Sequence, residues 1–503
     1  MGIFKKAGES ATKALIPGLN FAIWSKIIGK SLPSTLWLLF PIVNIFTFSG
    51  MCVDLVRSFG KNSFWESFKS VVLTPLSFFQ IANDSKSTYQ GPILEAERKY
   101  KKDIETAEKA NDSYELKKLK ANNPFQKSSG REWGESIIFA VFAAAFIRMF
   151  LIEAYTIPTS SMEGSLLVGD YLFVSKAHYG IRMPMTILQV PLLHNRLPRD
   201  LGESYLTNPS LPYYRLPAIE NIDRNDPIVF NYPEGDSIYM FPGRIYSTHD
   251  MRRGHLPQEL LASMAATQPI IRPIDKRDHY IKRCVAIPGD SLQVIDKQLY
   301  VNGKKAVNPS HLQLRYKING DVNTEKLEEW GVSLYDSAPE YGIYHLTAEQ
   351  VEKVKSLGLS VEPVNAQNPS PFYVYPHDPV HFNWTVDNFG PIYIPKKGTT
   401  VQISPNNIAL YSQIIERYEG NKLEVKDNQC YINGAPATSY TFKQDYYWAM
   451  GDNRHNSEDS RYWGYVPEDH IVGKPLFIWF STKNANIMNG IRWDRIFSGA
   501  TKM

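Results

Sequence analysis

The sequence predicts a mainly β fold preceded by N-terminal membrane helices. Past Tyr155, short runs of alternating apolar residues are separated by Gly, Pro and Asn, as in residues 171–175 (YLFVS) and 280–287 (YIKRCVAI). This pattern is typical of many short strands. Most of the 33 prolines and 31 glycines also lie in that part of the chain. Before it, residues 35–53 and 135–155 are apolar enough to enter a bilayer.

Length and charge restrict the class of protein. A chain of 503 residues is too long for one ordinary domain, so two or three folded units are expected. With 55 Lys and Arg against 51 Asp and Glu, the net charge of +4 indicates no polyanionic partner, and we expect no nucleic acid. Cys52 lies in an apolar segment, which leaves Cys284–Cys430 as the one conceivable disulfide. Buried free thiols also behave as small apolar residues, so the sequence leaves that bridge open.

Residues 1–90 are predicted to form a membrane-associated helical region. The stretch 35–53 is interrupted by Pro41 and Asn44, and residues 64–82 are aromatic and amphipathic. A two-pass hairpin and a pair of interfacial helices both fit these features, so the number of passes stays open.

Residues 91–134 are predicted to form a charged cytoplasmic linker helix. The pairs Glu95 with Lys99 and Glu105 with Lys109 stand at i and i+4 with the acid first. That order supports a helix exposed to water.

Residues 135–155 give the best candidate for a transmembrane helix. A helix of about 20 residues crosses a hydrocarbon core of about 30 Å. The one charge between 137 and 152 is Arg148, whose head can reach the interface if it lies near one end of the helix. A buried helix of a soluble protein is the alternative.

The flanking charges predict the orientation of this helix. Residues 116–135 carry several positive side chains, whereas 153–172 carry none. By the positive-inside rule, the chain before residue 135 lies in the cytoplasm and the large remainder lies outside. The positive residues are Lys117, Lys118, Lys120, Lys127 and Arg131.

Three polar clusters stand out in the exterior region. Residues 157–162 (IPTSSM) directly follow the membrane helix, and the others are 280–290 (YIKRCVAIPGD) and 450–464 (MGDNRHNSEDSRYWG). Taken singly, each is ordinary: a Ser beside a Met is usually part of a loop, and a Lys in an apolar strand usually points outward. A GDNR stretch is usually a turn.

Together the three clusters resemble the type I signal peptidases (leader peptidases), a bacterial family of membrane-anchored serine proteases with a Ser/Lys dyad. The first cluster matches the serine box of that family and is followed by 168–174 (VGDYLFV). The second matches the lysine box, with a strand box before it at 224–230 (RNDPIVF), and the third matches the GDNR…NS.DSR.WG box. The order is also that of the family. The resemblance implies a signal-peptidase-like β catalytic core with large β-rich insertions.

The boxes and the stretches between them divide the exterior region. We expect one part of the catalytic core over 156–303, with insertions at 181–223 and 234–276 that match no box. A β-rich accessory insertion is expected over 304–440, and the second part of the core with the C-terminal tail over 441–503. The roles of the insertions stay open.

The resemblance implies that Ser161 is the nucleophile and Lys282 the general base. A serine hydroxyl is a weak nucleophile until a neighbour accepts its proton. A lysine amine can do so near neutral pH only if burial lowers its pKa by several units from about 10.4. Apolar neighbours of Lys282, including Tyr280, Ile281 and Val285, can supply that desolvation.

Supporting roles follow from the same resemblance. The oxyanion would be bound by the backbone N–H of Ser161 and the side chain of Thr159, each donor being worth roughly 3–4 kcal/mol. Ser457 would hydrogen-bond the lysine amine. Asp459 would pair with Arg461 to brace the third box, without a part in proton transfer.

The family's substrates are preproteins with small side chains at the first and third residues before the cut, the Ala-x-Ala pattern. Six residues of this chain match positions that line the shallow apolar pockets for those side chains, although the same residues would also suit an ordinary core. They are Ile157, Pro158, Met162, Leu166, Tyr280 and Ile281.

Partners and location are also implied by the resemblance. Secretory preproteins, the lipid bilayer and contacts with the secretion machinery are expected. The chain would lie in the cytoplasmic (inner) membrane with its catalytic domain on the extracytoplasmic side. No cofactor and no metal are expected, since the histidines show no close metal-ligand spacing.

Two other functions are alternatives to the processing protease. A Ser/Lys self-cleaving repressor-type enzyme shares the Ser-Met motif, but the membrane helix and the lack of a DNA-binding segment weigh against it. A catalytically idle membrane scaffold is the alternative from another class. It has no physical need for both Ser161 and Lys282.

Overall fold

A computed structural model of the chain divides into two compact units, Met1–Ala140 and Val141–Met503. The predicted fold class, mainly β behind N-terminal helices, is confirmed. The predicted interruption at Pro41 and the positive residue Lys127 lie outside the described residues. The structure describes residues 1–39, 43–125, 129–193, 195–198, 201–241, 244–252, 256–334, 336–366 and 371–500.

The first unit is helical, and its apolar core is formed by side chains such as Trp24, Met51 and Leu55. The expected single linker helix is two helices, because the side chain of Asp112 accepts the N–H groups of Tyr114 and Glu115 and so begins a new helix. The helices are α1 (Gly2–Lys6), α2 (Leu19–Ile28), α3 (Val43–Arg57), α4 (Phe64–Val72), α5 (Thr74–Asn83), α6 (Ile93–Lys109) and α7 (Ser113–Ala121).

The next helix, α8 (Ser129–Phe150), contains the candidate membrane span. Within the described parts of the chain, Glu132–Phe150 is the one helical stretch long and apolar enough to cross a bilayer. The helix ends before the predicted boundary at residue 155, because Ile152–Thr156 pairs as a strand with Asp170–Ser175. At its end, Arg148 donates a 2.8 Å hydrogen bond to Glu153.

In its described residues, the second unit is built of short strands with five further α-helices. Its first strands are β1 (Ile152–Thr156), β2 (Asp170–Ser175), β3 (Thr186–Gln189), β4 (Tyr205–Ser210), β5 (Pro227–Asn231), β6 (Ser237–Phe241), β7 (Arg244–Ser247), β8 (Ile270–Ile271), β9 (His279–Ala286), β10 (Ser291–Ile295), β11 (Gln298–Val301) and β12 (Lys304–Lys305). The later strands are β13 (Leu314–Asn319), β14 (Ile343–Leu346), β15 (Ser360–Pro363), β16 (Phe389–Tyr393), β17 (Thr400–Gln402), β18 (Leu423–Lys426), β19 (Gln429–Ile432), β20 (Ala435–Ala437), β21 (Ser439–Thr441), β22 (Tyr446–Met450), β23 (Val466–Pro467) and β24 (Ile471–Ser481). The helices are α9 (Thr248–Arg252), α10 (Gln258–Ala265), α11 (Thr324–Glu329), α12 (Ala348–Lys355) and α13 (Ser460–Trp463).

The largest sheet has seven antiparallel strands in the order β1-β2-β24-β5-β9-β22-β23. Strand β9 lies between β5 and β22, with Lys282 opposite Ile228 and Cys284 opposite Ala449. Because both neighbours hydrogen-bond its backbone, β9 is a rigid support in the middle of the sheet. The side chain of Lys282 therefore starts from a fixed position.

The segment 304–440, predicted as one accessory insertion, is divided between two cores. Strands β12 and β16 join β10 and β11 in a four-stranded sheet, and Phe389 of β16 packs against Trp448 of β22 with ring centroids 5.4 Å apart. Strands β13–β15 with α11 and α12 enclose a smaller core around Leu327 and Tyr344. The remaining strands form four small sheets. Two of them are pairs, β3 with β4 and β17 with β21, and two have three strands, in the orders β7-β6-β8 and β18-β19-β20.

The three cysteines do not form a disulfide. Cys52, Cys284 and Cys430 are all buried free thiols. Each therefore acts as a small apolar residue, which was the alternative that the sequence left open.

Candidate active site

Ser161 and Lys282 lie in direct contact. Ser161 is carried by a short helical turn, Ser160–Met162, in the connection that follows β1, and Lys282 comes from β9. The Nζ atom of Lys282 donates to Ser161 Oγ at 2.7 Å and to the carbonyl oxygen of Ile281 at 3.0 Å. The arrangement is that of a hydroxyl beside a base within proton-transfer distance.

The environment of Lys282 favours its neutral form. Its residue exposure is 4%, and burial lowers the pKa of the amine to about 8, against the opposing effect of the Asp459, Glu458 and Asp452 carboxylates. Within the described residues, Lys282 forms no ion pair. The amine is therefore desolvated without a counter-ion in contact, and it can accept a proton near neutral pH.

Two of the nearby carboxylates are instead bound by arginines. Arg461 donates to both oxygens of Asp459, at 2.8 and 2.7 Å. Arg283 donates to both oxygens of Asp452, at 2.7 and 2.6 Å. Both pairs are buried, so the charges of these two carboxylates are compensated locally, and neither is hydrogen-bonded to the lysine amine.

The Arg283–Asp452 pair joins the second and third sequence clusters, and it was not predicted. Ser165, just after the serine cluster, also donates to Asp452, while Arg283 follows the lysine in β9. Because side chains alternate along a strand, Arg283 points away from Lys282. The signal that could have indicated the pair was an arginine inside the second polar cluster and an aspartate inside the third.

The loop that begins at Gly451 lies against the nucleophile. Asn453 donates its backbone N–H to the carbonyl oxygen of Ser161 at 3.2 Å and its side-chain amide to the carbonyl oxygen of Ser160 at 3.3 Å. The amide of Asn456 donates to Ser160 Oγ at 2.8 Å. The residues around the nucleophile are thus held from one side by this loop.

Thr159 and Ser457 lie beside the pair of Ser161 and Lys282. The hydroxyl of Thr159 is exposed and 3.5 Å from Ser161 Oγ, in reach of a group bound to that oxygen. The predicted hydrogen bond from Ser457 to the lysine amine is not present in the described structure. Ser457 is buried and its hydroxyl faces the Asp459 carboxylate, and Lys282 donates to the Ile281 carbonyl instead.

A cleft of about 710 Å³ opens over Ser161 and Lys282. Of the six predicted pocket residues, Tyr280 lines it. The other apolar and aromatic lining residues were not predicted, since they come from segments that match no box or lie outside the first two clusters. These are Tyr232, Ile238, Ile245, Tyr373 and Tyr462.

The other predicted pocket residues have different surroundings. Ile157, Met162 and Leu166 are buried in a core cluster, and Ile281 packs against that cluster. Pro158 is exposed. The expectation that these residues would also suit an ordinary core therefore applies to Ile157, Met162 and Leu166. In the described residues, no group of three or more His, Cys, Asp or Glu side chains is arranged to hold a metal ion.

Comparison with known proteins identifies the family of the chain. A model of the family described as signal peptidase, peptidase S26 matches residues 130–339 and 397–480. A model of a family of unknown function matches residues 12–92.

Three relatives are each named signal peptidase I. The protein of Rickettsia massiliae (strain Mtu5) is 25% identical over 71% of this chain and 82% of its own length. The protein of Buchnera aphidicola subsp. Schizaphis graminum is 26% identical over 72% of this chain and 79% of its own. The Helicobacter pylori (strain J99) protein is 23% identical over 72% and 90%. With the S26 model covering more than half of its residues, this chain belongs to the signal peptidase family, peptidase S26.

Proposed function

We propose that the chain is a signal peptidase I, a serine endopeptidase that removes N-terminal signal peptides from exported preproteins. The observation that carries the proposal is the 2.7 Å hydrogen bond from the buried Lys282 amine to Ser161 Oγ. Family membership supports the class of substrate. In this proposal Ser161 is the nucleophile and Lys282 the general base.

The neutral Lys282 amine takes the proton of Ser161 as Oγ bonds to the scissile carbonyl carbon. The negative charge that forms on the carbonyl oxygen is stabilised by the Thr159 hydroxyl and the Ser161 N–H. When the C–N bond breaks, the ammonium of Lys282 gives its proton to the leaving amine. An ester on Ser161 remains. Water then attacks the carbonyl carbon of that ester and passes a proton to Lys282. When the ester C–O bond breaks, Lys282 gives this proton to Ser161 Oγ and the carboxylic acid product leaves.

The buried amine makes this chemistry accessible near neutral pH. With a pKa of about 8, about a tenth of the Lys282 amines are unprotonated at pH 7, against fewer than about one in a thousand for an ordinary lysine. Asp459 and Arg461 form a buried ion pair beneath the loop and take no proton in this scheme. Ser457, whose hydroxyl faces the Asp459 carboxylate, lines the same cleft as Lys282.

The preference for small side chains before the cut, the Ala-x-Ala pattern, is part of the proposal. Family membership supports this preference. Of the residues expected to line the substrate pockets, Tyr280 lines the cleft, whereas Met162 and Leu166 have exposures of 1% and 0% and belong to a core cluster.

The proposal includes an anchor in the cytoplasmic membrane with the catalytic unit on the outer face. The apolar helix α8 supports the anchor, and the positive residues before it, against none in 153–172, support the orientation. In the first unit, Trp65, Val72 and Phe79 are exposed on consecutive helices, which supports an additional association with the bilayer. The partners are then the bilayer, secretory preproteins and the machinery that delivers them.

The test is cleavage of a purified preprotein by the full chain in detergent. Ser161→Ala and Lys282→Ala should each lower kcat by about a thousandfold or more, because each removes one half of a unit. Mass spectrometry of the product gives the cut site, and small residues are expected at its first and third preceding positions. Full activity of Lys282→Ala would contradict the assignment of the base.

A further inference from the structure

The family model skips residues 340–396, yet a residue of that segment contacts the loop around the nucleophile. Asp387 accepts a hydrogen bond from Nε2 of His455 at 2.8 Å. His455 lies in the loop between Arg454 and Asn456 and lines the cleft, and its side chain is 1% exposed. The contact is therefore shielded from water. In such surroundings a hydrogen bond to a carboxylate is strong.

The hydrogen bonds of His455 fix the orientation of its ring. The Nδ1 atom accepts the backbone N–H of Arg315 at 3.2 Å, so the proton of the neutral ring is on Nε2 and is donated to Asp387. With a partner on each nitrogen, the ring cannot turn without losing a buried hydrogen bond. His455 thus attaches its loop to Asp387 at one defined position.

Asp387 is itself held rigidly. Its second carboxylate oxygen accepts the N–H of Ala366 at 3.0 Å, and its backbone carbonyl accepts the N–H of Lys297 at 2.9 Å. It lies two residues before β16, whose Phe389 packs on Trp384 and on Trp448 with ring centroids 4.6 Å and 5.4 Å apart. The carboxylate is therefore a fixed point of the core.

The loop attached to this fixed point in turn holds the nucleophile. Two residues before His455, Asn453 donates to the carbonyl oxygens of Ser160 and Ser161. One residue after it, Asn456 donates to Ser160 Oγ and, at 3.0 Å, to Asp336. A displacement of His455 would therefore move both contacts that hold Ser161 beside Lys282.

We propose that Asp387 is a positioning residue for the peptidase reaction, acting through His455 to keep Ser161 at proton-transfer distance from Lys282. The inference rests on the proposed function, because it assigns Asp387 a role in the reaction of Ser161. Neither residue touches the reacting atoms. An error in position of about 1 Å at a nucleophile can cost about a hundredfold in rate, so a remote anchor of this kind can affect turnover.

The experiment compares Asp387→Ala, His455→Ala and the double variant with the wild type in the full chain. We measure kcat and KM for a preprotein, and separately the rate at which a fluorophosphonate labels Ser161. Each single variant should lower kcat and the labelling rate by about tenfold or more, with KM within about twofold. The double variant should be no slower than His455→Ala, because Asp387 acts through that residue.

A matched control lies in the same segment. Asp378 and His381 form an exposed pair at 2.6 Å without a contact to the loop among those described. Asp378→Ala and His381→Ala should keep the wild-type kcat and labelling rate. The melting temperature of every variant shows whether it is folded at the assay temperature.

The outcomes separate the two proposals. If the wild type cleaves the preprotein and the Asp387→Ala enzyme labels Ser161 at the same rate, the positioning role is wrong and the proposed function stands. Additive losses in the double variant would also contradict action through His455. If the wild type itself fails to cleave, the proposed function is wrong.

Discussion

Gly451 lies against the backbone of Ser161. A Cβ atom added to Gly451 would be 2.5 Å from the carbonyl oxygen of Ser161 and 2.2 Å from Ser457 Oγ. Real Cβ atoms do not approach other atoms so closely, so any side chain at this position must push the backbone at Ser161 away. The position requires glycine for close approach.

We therefore expect Gly451→Ala to impair catalysis more than folding. The displaced Ser161 should lower kcat by about tenfold or more, while overpacking should cost about 1–3 kcal/mol of unfolding free energy. Preprotein cleavage and thermal melting measure the two effects. Gly499→Ala is the control, since a Cβ atom there meets nothing within 4 Å, and an equal loss of activity in both variants would contradict the explanation.

The rate of preprotein cleavage should depend on the protonation of Lys282. Because the pKa of this amine is about 8, kcat/KM should rise with pH and level off above that value. A pH profile at substrate concentrations far below KM measures it. A profile that is flat between pH 6 and 9 would show that no group with this pKa limits the reaction.

The same amine should make folding less favourable at neutral pH. Its pKa falls from 10.5 to about 8 on folding because of burial, so the unfolded chain binds more protons between these values and stability rises with pH across that window. Below pH 8 the cost is about 3 kcal/mol. Lys282→Met removes it, and we expect a variant that melts at a higher temperature than the wild type at pH 7.

The difference in melting temperature between Lys282→Met and the wild type should shrink as the pH rises from 8 towards 10.5. Calorimetry at several pH values tests this directly. Lys353→Met, at a lysine whose side chain is 41% exposed, provides the comparison. A Lys282→Met protein less stable than the wild type at pH 7 would contradict the buried, desolvated amine.

Thr159 should contribute through its hydroxyl. Thr159→Val keeps the shape of the side chain but removes the donor, and we expect kcat to fall by about a hundredfold with little change in KM. Thr159→Ser keeps the hydroxyl and should retain most of the activity. Steady-state kinetics on both variants suffice, and a Thr159→Val enzyme as active as Thr159→Ser would exclude the hydroxyl from oxyanion stabilisation.

Removing one partner of the buried pair of Arg283 and Asp452 should destabilise the protein more than removing both. Arg283→Met leaves the Asp452 carboxylate buried with no cation, at a cost of about 3–5 kcal/mol. Arg283→Met combined with Asp452→Leu removes both charges and should recover much of that loss. Denaturant unfolding measures the free energies, and a double variant that is less stable than Arg283→Met would contradict the interpretation.

Local sequence features predicted part of this structure, and the rest depends on contacts between distant residues. The alternation after Tyr155 predicted short strands, because a half-buried strand has a period of two. The helix boundary near residue 155 was wrong by several residues, since pairing of Ile152–Thr156 with β2 outweighs its apolar character. The pairing of β16 with β10 was not predictable, because alternation does not specify a partner.

The candidate site was predicted from a resemblance and not from local sequence features. Taken singly, the clusters gave no reason to place Ser161 beside Lys282, and only the resemblance of all three to one family did so. The surroundings of Ser457 depend on how the loop folds back on Gly451, which no motif specifies. The link from Asp387 to His455 crosses a segment that the family model skips, so a motif could not have indicated it.

The short connection between α8 and β1 limits where a preprotein can be cut. Only Leu151 separates the end of the helix from the first strand, and the chain from Phe150 to Ser161 reaches no farther than about 40 Å even when fully extended. If α8 spans the bilayer, this length sets the greatest distance of Ser161 from the lipid surface. A peptide bond that a long rigid spacer holds farther from the membrane would escape cleavage, whatever its sequence.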